Sequence, residues 1–192
     1  MNESPLHARI MVAGATGALG RATLPHLERH QVVGLTRSQK KLALLRALGV
    51  EGVVCDVYNY EDLLGVAQKV RPHIVVNFLT DLSSGNGEAN DRVRREGGAN
   101  LVNAAVEGEA RRLVVESVSF ALERTAADAV EQMERTALNA PLDVLILRFA
   151  RFWGPGTFYS EPPDSEAVHI EEAGARAAKL LTSAPRGAYV IV

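Results

Sequence analysis

A doubly wound α/β fold, one parallel sheet with helices on both faces, is what this sequence predicts. Short runs rich in Val, Ile and Leu alternate with helical patterns from end to end. Several of those runs are almost continuously apolar, as strands buried on both faces must be. Three glycines spaced three apart stand where the first run gives way to the first helix. Strand and helix alternate about six times, and right-handed crossovers then join the strands into a single sheet.

The first strand, 9–13, leads directly into the glycines, and the second covers 31–36 and ends at Thr36-Arg37-Ser38. Leu42, Leu45 and Leu48 make the next helical stripe, before a third strand at 52–55 and a fourth at 73–79. Val93, Gly97, Leu101, Ala104 and Ala105 lie on one helix face ahead of a fifth strand at 112–116. Val130, Met133, Ala137 and Leu138 form another stripe, followed by a sixth strand at 144–149. Ile170, Ala173, Ala177, Leu180 and Leu181 give the last helix, and 188–192 the last strand. Two connections exceed the usual length, 81–90 and 154–165. Ligands of such sheets bind outside the carboxyl ends of the strands, so each loop is either a rim of a site or a surface connector. No repeat or second domain is visible, and 1–192 is expected to form one domain.

Composition removes several functional classes. The 192 residues are 47% hydrophobic and 23% charged, which suits a globular chain and neither a disordered tail nor a collagen-like repeat. With 21 basic and 23 acidic residues the net charge is −2, giving no electrostatic case for nucleic acid or an anionic membrane. Cys55 stands alone, so no internal disulfide forms and a reducing, cytoplasmic location is expected. Residues 1–9 contain no apolar stretch of the kind a signal peptide needs, and no run approaches the roughly 18 residues of a membrane span. His26 and His30 are four apart, but no second pair of ligands accompanies them, and no metal is expected.

The chemistry concentrates in Gly14-Ala15-Thr16-Gly17-Ala18-Leu19-Gly20. Gly14 permits a tight turn out of the strand, Gly17 lets a pyrophosphate approach the backbone, and Gly20 lets the helix pack on the sheet. The helix start adds N–H groups and positive potential. At the end of the second strand, where a carboxylate would hold a ribose 2′-hydroxyl, Arg37 and Ser38 stand instead. They suit a 2′-phosphate and hence NADP, with NAD as the alternative; Ser38 would equally cap the next helix.

These residues resemble the opening motif of extended and atypical short-chain dehydrogenases/reductases, the NAD(P)-dependent epimerase/dehydratase group, which have a Rossmann fold. The resemblance continues in Cys55-Asp56-Val57, in Gly97, Asn100 and Leu101, in Leu147-Arg148-Phe149 with Gly154-Pro155-Gly156, and in Val168-His169-Ile170-Glu171-Glu172-Ala173. It implies a cofactor set of Gly14, Thr16, Gly17, Ala18, Leu19, Gly20, Arg37, Ser38, Asp56, Val57, Phe78, Leu79 and Thr80. Asp56 would meet adenine by its side chain and Val57 by its backbone.

The departures concern catalysis. The family places a hydroxyl after the fifth strand, then a Tyr acid/base and a Lys four residues later. Ser119 supplies the hydroxyl, either as a substrate contact or as the end of a strand. Aligned on Val130-Glu131-Gln132, the Tyr position holds Glu123 and the Lys position Ala127. Tyr159, on the loop after the sixth strand, is the tyrosine placed to reach a substrate. Only about ten residues, 157–166, separate the glycine-proline turn from the late helix, so the family's substrate-binding insertion is abridged. Any substrate site would lie among 80–90, Ser119 and 151–159. Phe152 and Trp153 would stack on a flat ligand or pack beneath the loop. The expectation is an NADP(H)-dependent reductase of a small organic acceptor. The alternative is a non-catalytic nucleotide-binding sensor or accessory subunit with a protein partner; a homodimer is compatible with either.

Overall fold

A computed structural model describes residues 7–81 and 87–192. Its strands are β1 (Arg9–Ala13), β2 (Gln31–Thr36), β3 (Glu51–Val54), β4 (Ile74–Asn77), β5 (Arg112–Val118), β6 (Asp143–Phe149), β7 (Arg151–Trp153), β8 (Ala167–His169) and β9 (Gly187–Ile191). Seven of them form a parallel sheet in the order β3-β2-β1-β4-β5-β6-β9, and β7 and β8 pair separately. This is the expected doubly wound Rossmann arrangement.

Alternation along each strand fills two cores. Ile10 and Val12 of β1 point into one, where they meet Leu19 of α1 (Ala18–Thr23), Leu45 of α2 (Leu42–Ala47), and Ala173, Ala177 and Leu181 of α7 (Ile170–Ser183). Met11 and Ala13 point into the other, with Leu63 and Ala67 of α3 (Tyr60–Val70), Leu101 and Ala104 of α5 (Gly98–Glu107), and Met133 and Ala137 of α6 (Arg124–Leu138). The chain moves from β1 to β2 on one side and returns to β4 on the other. A crevice therefore opens at the carboxyl ends of β1 and β4.

Several boundaries differ from the sequence reading. β4 stops at Asn77 rather than 79: the Phe78 amide makes the last ladder bond, to the Ala13 carbonyl, and the Leu79 amide leaves the ladder for the Asn77 side chain. β5 continues to Val118, paired with Phe149. The stripes above omit α3, whose start is fixed by Asn59: its side-chain oxygen accepts the Asp62 amide at 3.3 Å. The helix before β5 is a run of three pieces: α4 (Gly87–Arg92), a π-helical turn at Val93–Gly97, and α5. The β7–β8 pair ties down both ends of the 154–165 loop. Of the other long loop, residues 82–86 lie outside the described residues.

Candidate functional site

The glycine turn is built by close backbone contact. Gly14 has φ +82°, and a Cβ on it would lie 2.1 Å from the Phe78 carbonyl oxygen. A Cβ on Gly20 would lie 2.4 Å from the Gly14 carbonyl oxygen, while the Gly17 amide donates to that oxygen at 2.9 Å. The turn thus wedges β1 against the end of β4 and draws α1 onto both. Gly17 is different: it is exposed, in ordinary extended backbone, and leaves a bare stretch of main chain facing the crevice. No side chain caps the first turn of α1, so its amides remain free to meet an anion.

Beside this turn lies a cavity lined by Gly14, Thr16, Leu35, Thr36, Arg37, Ser38, Lys41, Cys55, Val57 and Leu79. Six of the residues expected to bind cofactor meet there: Gly14, Thr16, Arg37, Ser38, Val57 and Leu79. Thr36 shapes the β2 end, its hydroxyl accepting the Ser38 amide at 3.2 Å. The Ser38 side chain makes no capping bond to the 3₁₀ turn Gln39–Lys41, which leaves its hydroxyl available to a ligand. That turn swings Lys41 back into the cavity wall, a residue the sequence reading passed over. Arg37 is 58% exposed at its side chain and donates to the Asp81 carboxylate at 3.4 Å. Burial, helped by Asp62 and Asp56, raises the Cys55 thiol to about 11, so Cys55 is an inert wall residue.

The other expected cofactor residues surround this cavity. The Asp56 carboxylate accepts the Tyr58 amide at 3.1 Å, which holds the turn after β3. The Val57 carbonyl is taken by the Asn100 side-chain amide at 2.9 Å, tying that turn to α5. Phe78 is buried in the core and presents its backbone to Gly14, while Thr80 is exposed beyond it. Ala18 and Leu19 begin α1, with Leu19 buried beneath the turn.

The reacting end is sparser. The Ser119 hydroxyl is buried with no partner, at the point where the Ser119 amide bonds to the Phe149 carbonyl and closes β5 onto β6. The Tyr159 ring packs edge-on against Phe158, which is 91% exposed at the loop surface. No hydrogen bond joins the Ser119 hydroxyl to Tyr159. Phe152 packs on Phe149 and Trp153 on His169, which makes both rings supports of the loop. Glu123 is the exposed N-cap of α6, and Ala127 donates its amide to the Glu123 carbonyl in the first helical turn. Behind them the Glu134 carboxylate takes two bonds from the Arg148 guanidinium, at 3.0 and 2.6 Å, and one from the Ser117 hydroxyl. Among the described residues no cluster of His, Cys, Asp and Glu could hold a metal, and no helix is long and apolar enough to cross a membrane.

A dinucleotide fits this donor set. Bare backbone at Gly17 and uncapped amides of α1 suit a pyrophosphate, and the cavity offers an adenosine apolar walls together with two cations, Arg37 and Lys41. A family profile described as NAD(P)H-binding matches residues 14–152. A 3-diazoavenalumate denitrifying reductase from a Streptomyces species is 32% identical, over 79% of this chain and 59% of that protein. The chain thus spans less than two thirds of that relative's length. Among solved structures, Bordetella bronchiseptica WbmG in complex with NAD matches with TM-score 0.81 and 15% identity, covering 100% of this chain and 74% of that one. A UDP-N-acetylglucosamine 4-epimerase from Bacillus cereus matches with TM-score 0.75 and 20% identity, covering 96% and 77%. At those identities the likeness is one of fold.

Proposed function

The chain belongs to the NAD(P)H-binding family, and from that premise we propose that it is an NADP(H)-dependent reductase of a small conjugated organic acceptor. The bound cofactor supplies a hydride to such an acceptor. The observation that carries the NADP preference is the pair of cations, Arg37 and Lys41, in the cavity wall at the end of β2, where none of the described lining residues is a carboxylate. Asp81 competes for Arg37. An exposed ion pair of that kind contributes about 0–1 kcal/mol, whereas a charge-assisted phosphate contact contributes about 1.5–3 kcal/mol, so a 2′-phosphate displaces Asp81. The reductase among the relatives supports the reaction class.

Titration of the purified protein with NADPH and NADH is the test, followed by an acceptor screen with flavins, quinones and other conjugated compounds. A ten- to hundred-fold preference for NADPH is expected, from about 1.4 kcal/mol per decade. Equal affinities would remove the NADP assignment. The second reading, a nucleotide-binding sensor or accessory subunit, is favoured by Glu123 and Ala127 standing where a tyrosine and lysine would act. NADPH binding without oxidation by any acceptor would select it.

A further inference from the structure

A second set of charged groups meets at the end of β4. Gly98, the first residue of α5, approaches the Asn77 side chain; a Cβ there would lie 3.5 Å from the Asn77 amide nitrogen. Arg94 lies about one turn earlier in the same helical run, which carries it past the end of the strand. It is only 8% exposed and belongs to the π-helical turn, a distortion frequent at functional sites. From the other side, Asn77 pairs with Val115, so Glu116 is the first β5 residue with no β4 strand beside it. Arg94 interacts electrostatically with Glu116 and Asp91 without reaching ion-pair contact with either. On the neighbouring residue of β5, Glu134 and Arg148 neutralise each other and hold Ser117. Three residues further on, Ser119 closes β5 by its amide and leaves its hydroxyl buried without a partner.

We propose that Glu116 is the proton donor of the reduction, with Arg94 as its positioning residue, in place of the tyrosine and lysine this chain lacks. The inference rests on the reductase reading. With a quinone or conjugated carbonyl as acceptor, bound NADPH would supply the hydride and be left as NADP, and Glu116 gives the proton to the oxygen that becomes a hydroxyl. The Glu116 carboxylate then regains its proton from solvent. Burial holds the Glu116 carboxyl up at about 7, against the downward pull of Arg94, so it still carries a proton near neutrality.

Two measurements test this. In the unliganded protein, the infrared band of a protonated carboxyl should titrate near pH 7 and be missing from Glu116→Gln. In turnover with NADPH and a quinone, kcat/KM should fall as pH rises through about 7. Glu116→Gln should lose that break and about 10²-fold in kcat/KM at pH 6, with NADPH affinity unchanged. Arg94→Gln should move the break to higher pH, because the cation that favours the carboxylate is gone. Full turnover with an unchanged break in Glu116→Gln removes Glu116 and leaves the reductase reading standing. A wild-type protein that binds NADPH but reduces nothing removes the reductase reading and the donor role with it. Absence of the titrating band overturns the proposal whatever the acceptor screen gives.

Discussion

Gly14 and Gly17 stand three residues apart in one motif, yet the structure asks different things of them. At Gly14 a side chain meets the Phe78 backbone at 2.1 Å and φ is +82°, so neither partner can yield. Gly14→Ala should destabilise the fold by about 2–4 kcal/mol and weaken NADP and NAD binding together, seen as a lower urea midpoint and lost titration signals. At Gly17 the backbone is extended and the nearest obstacle to a Cβ is the Gly14 oxygen at 3.2 Å. Gly17→Val should therefore leave the unfolding free energy within about 0.5–1 kcal/mol of the original while weakening both nucleotides equally. In the NADP reading proposed above, Arg37 and Lys41 would act on the ratio instead. Arg37→Asp should abolish or reverse the preference for NADP, and Lys41→Ala should reduce it about tenfold without changing NAD affinity. Arg37 was legible because it ends a strand at a known distance from the glycines. Lys41 was not, because only the 3₁₀ turn at Gln39–Lys41 shows that it folds back to the same cavity.

Elements are placed by their apolar residues but locked by a few polar ones, and the difference explains what the sequence discloses. Continuous Val, Ile and Leu runs located the strands of the main sheet, since a strand covered on both faces can hold little else. The β7–β8 pair was invisible, because three-residue strands of mixed character leave no periodicity. The end of β4 was misplaced by two residues, because Phe78 and Leu79 are as apolar as the strand they leave; the Leu79 amide, bonded to the Asn77 side chain instead of β1, decides the boundary. The lock on α6 is Glu134, whose partners Ser117 and Arg148 sit on two strands and leave no mark in the pattern of the helix. Burial raises its carboxyl, but hydrogen bonds from Arg148 and Ser117 outweigh that and hold it below the ordinary range. Its contribution is present above the ordinary value of 4.5 and is lost as pH falls through the lowered one. Glu134→Ala leaves the Ser117 hydroxyl and half of the Arg148 guanidinium without partners. It should cost about 2–3 kcal/mol at pH 7 and clearly less at pH 3, measured by denaturant unfolding of both chains.

For the molecule as a whole, stability against pH is set by groups pulling in opposite directions. His30 and His73 are lowered from 6.5, each chiefly by burial, and their ring nitrogens accept the backbone amides of Ala8 and Arg9. The unfolded chain therefore binds more protons at these sites, and their contribution, complete above pH 6.5, declines as pH falls below it. Glu116 works the other way. Its carboxyl rises from the ordinary 4.5 to about 7, so the folded chain holds a proton that the unfolded chain has released. Stability from Glu116 is complete below pH 4.5 and is lost as pH climbs to about 7. At 1.36 kcal/mol per pH unit, that loss is about 3 kcal/mol. Glu116→Gln keeps the shape of the protonated side chain and cannot ionise, while both histidines remain, so the difference between the two chains isolates Glu116. Unfolding free energies measured from pH 4 to 8 should keep a constant offset up to about pH 4.5. Between 4.5 and 7 the wild type should lose about 3 kcal/mol relative to the variant, and the new offset should then hold. Parallel curves across the whole range would show that Glu116 ionises at its ordinary value and has no proton to deliver at neutral pH.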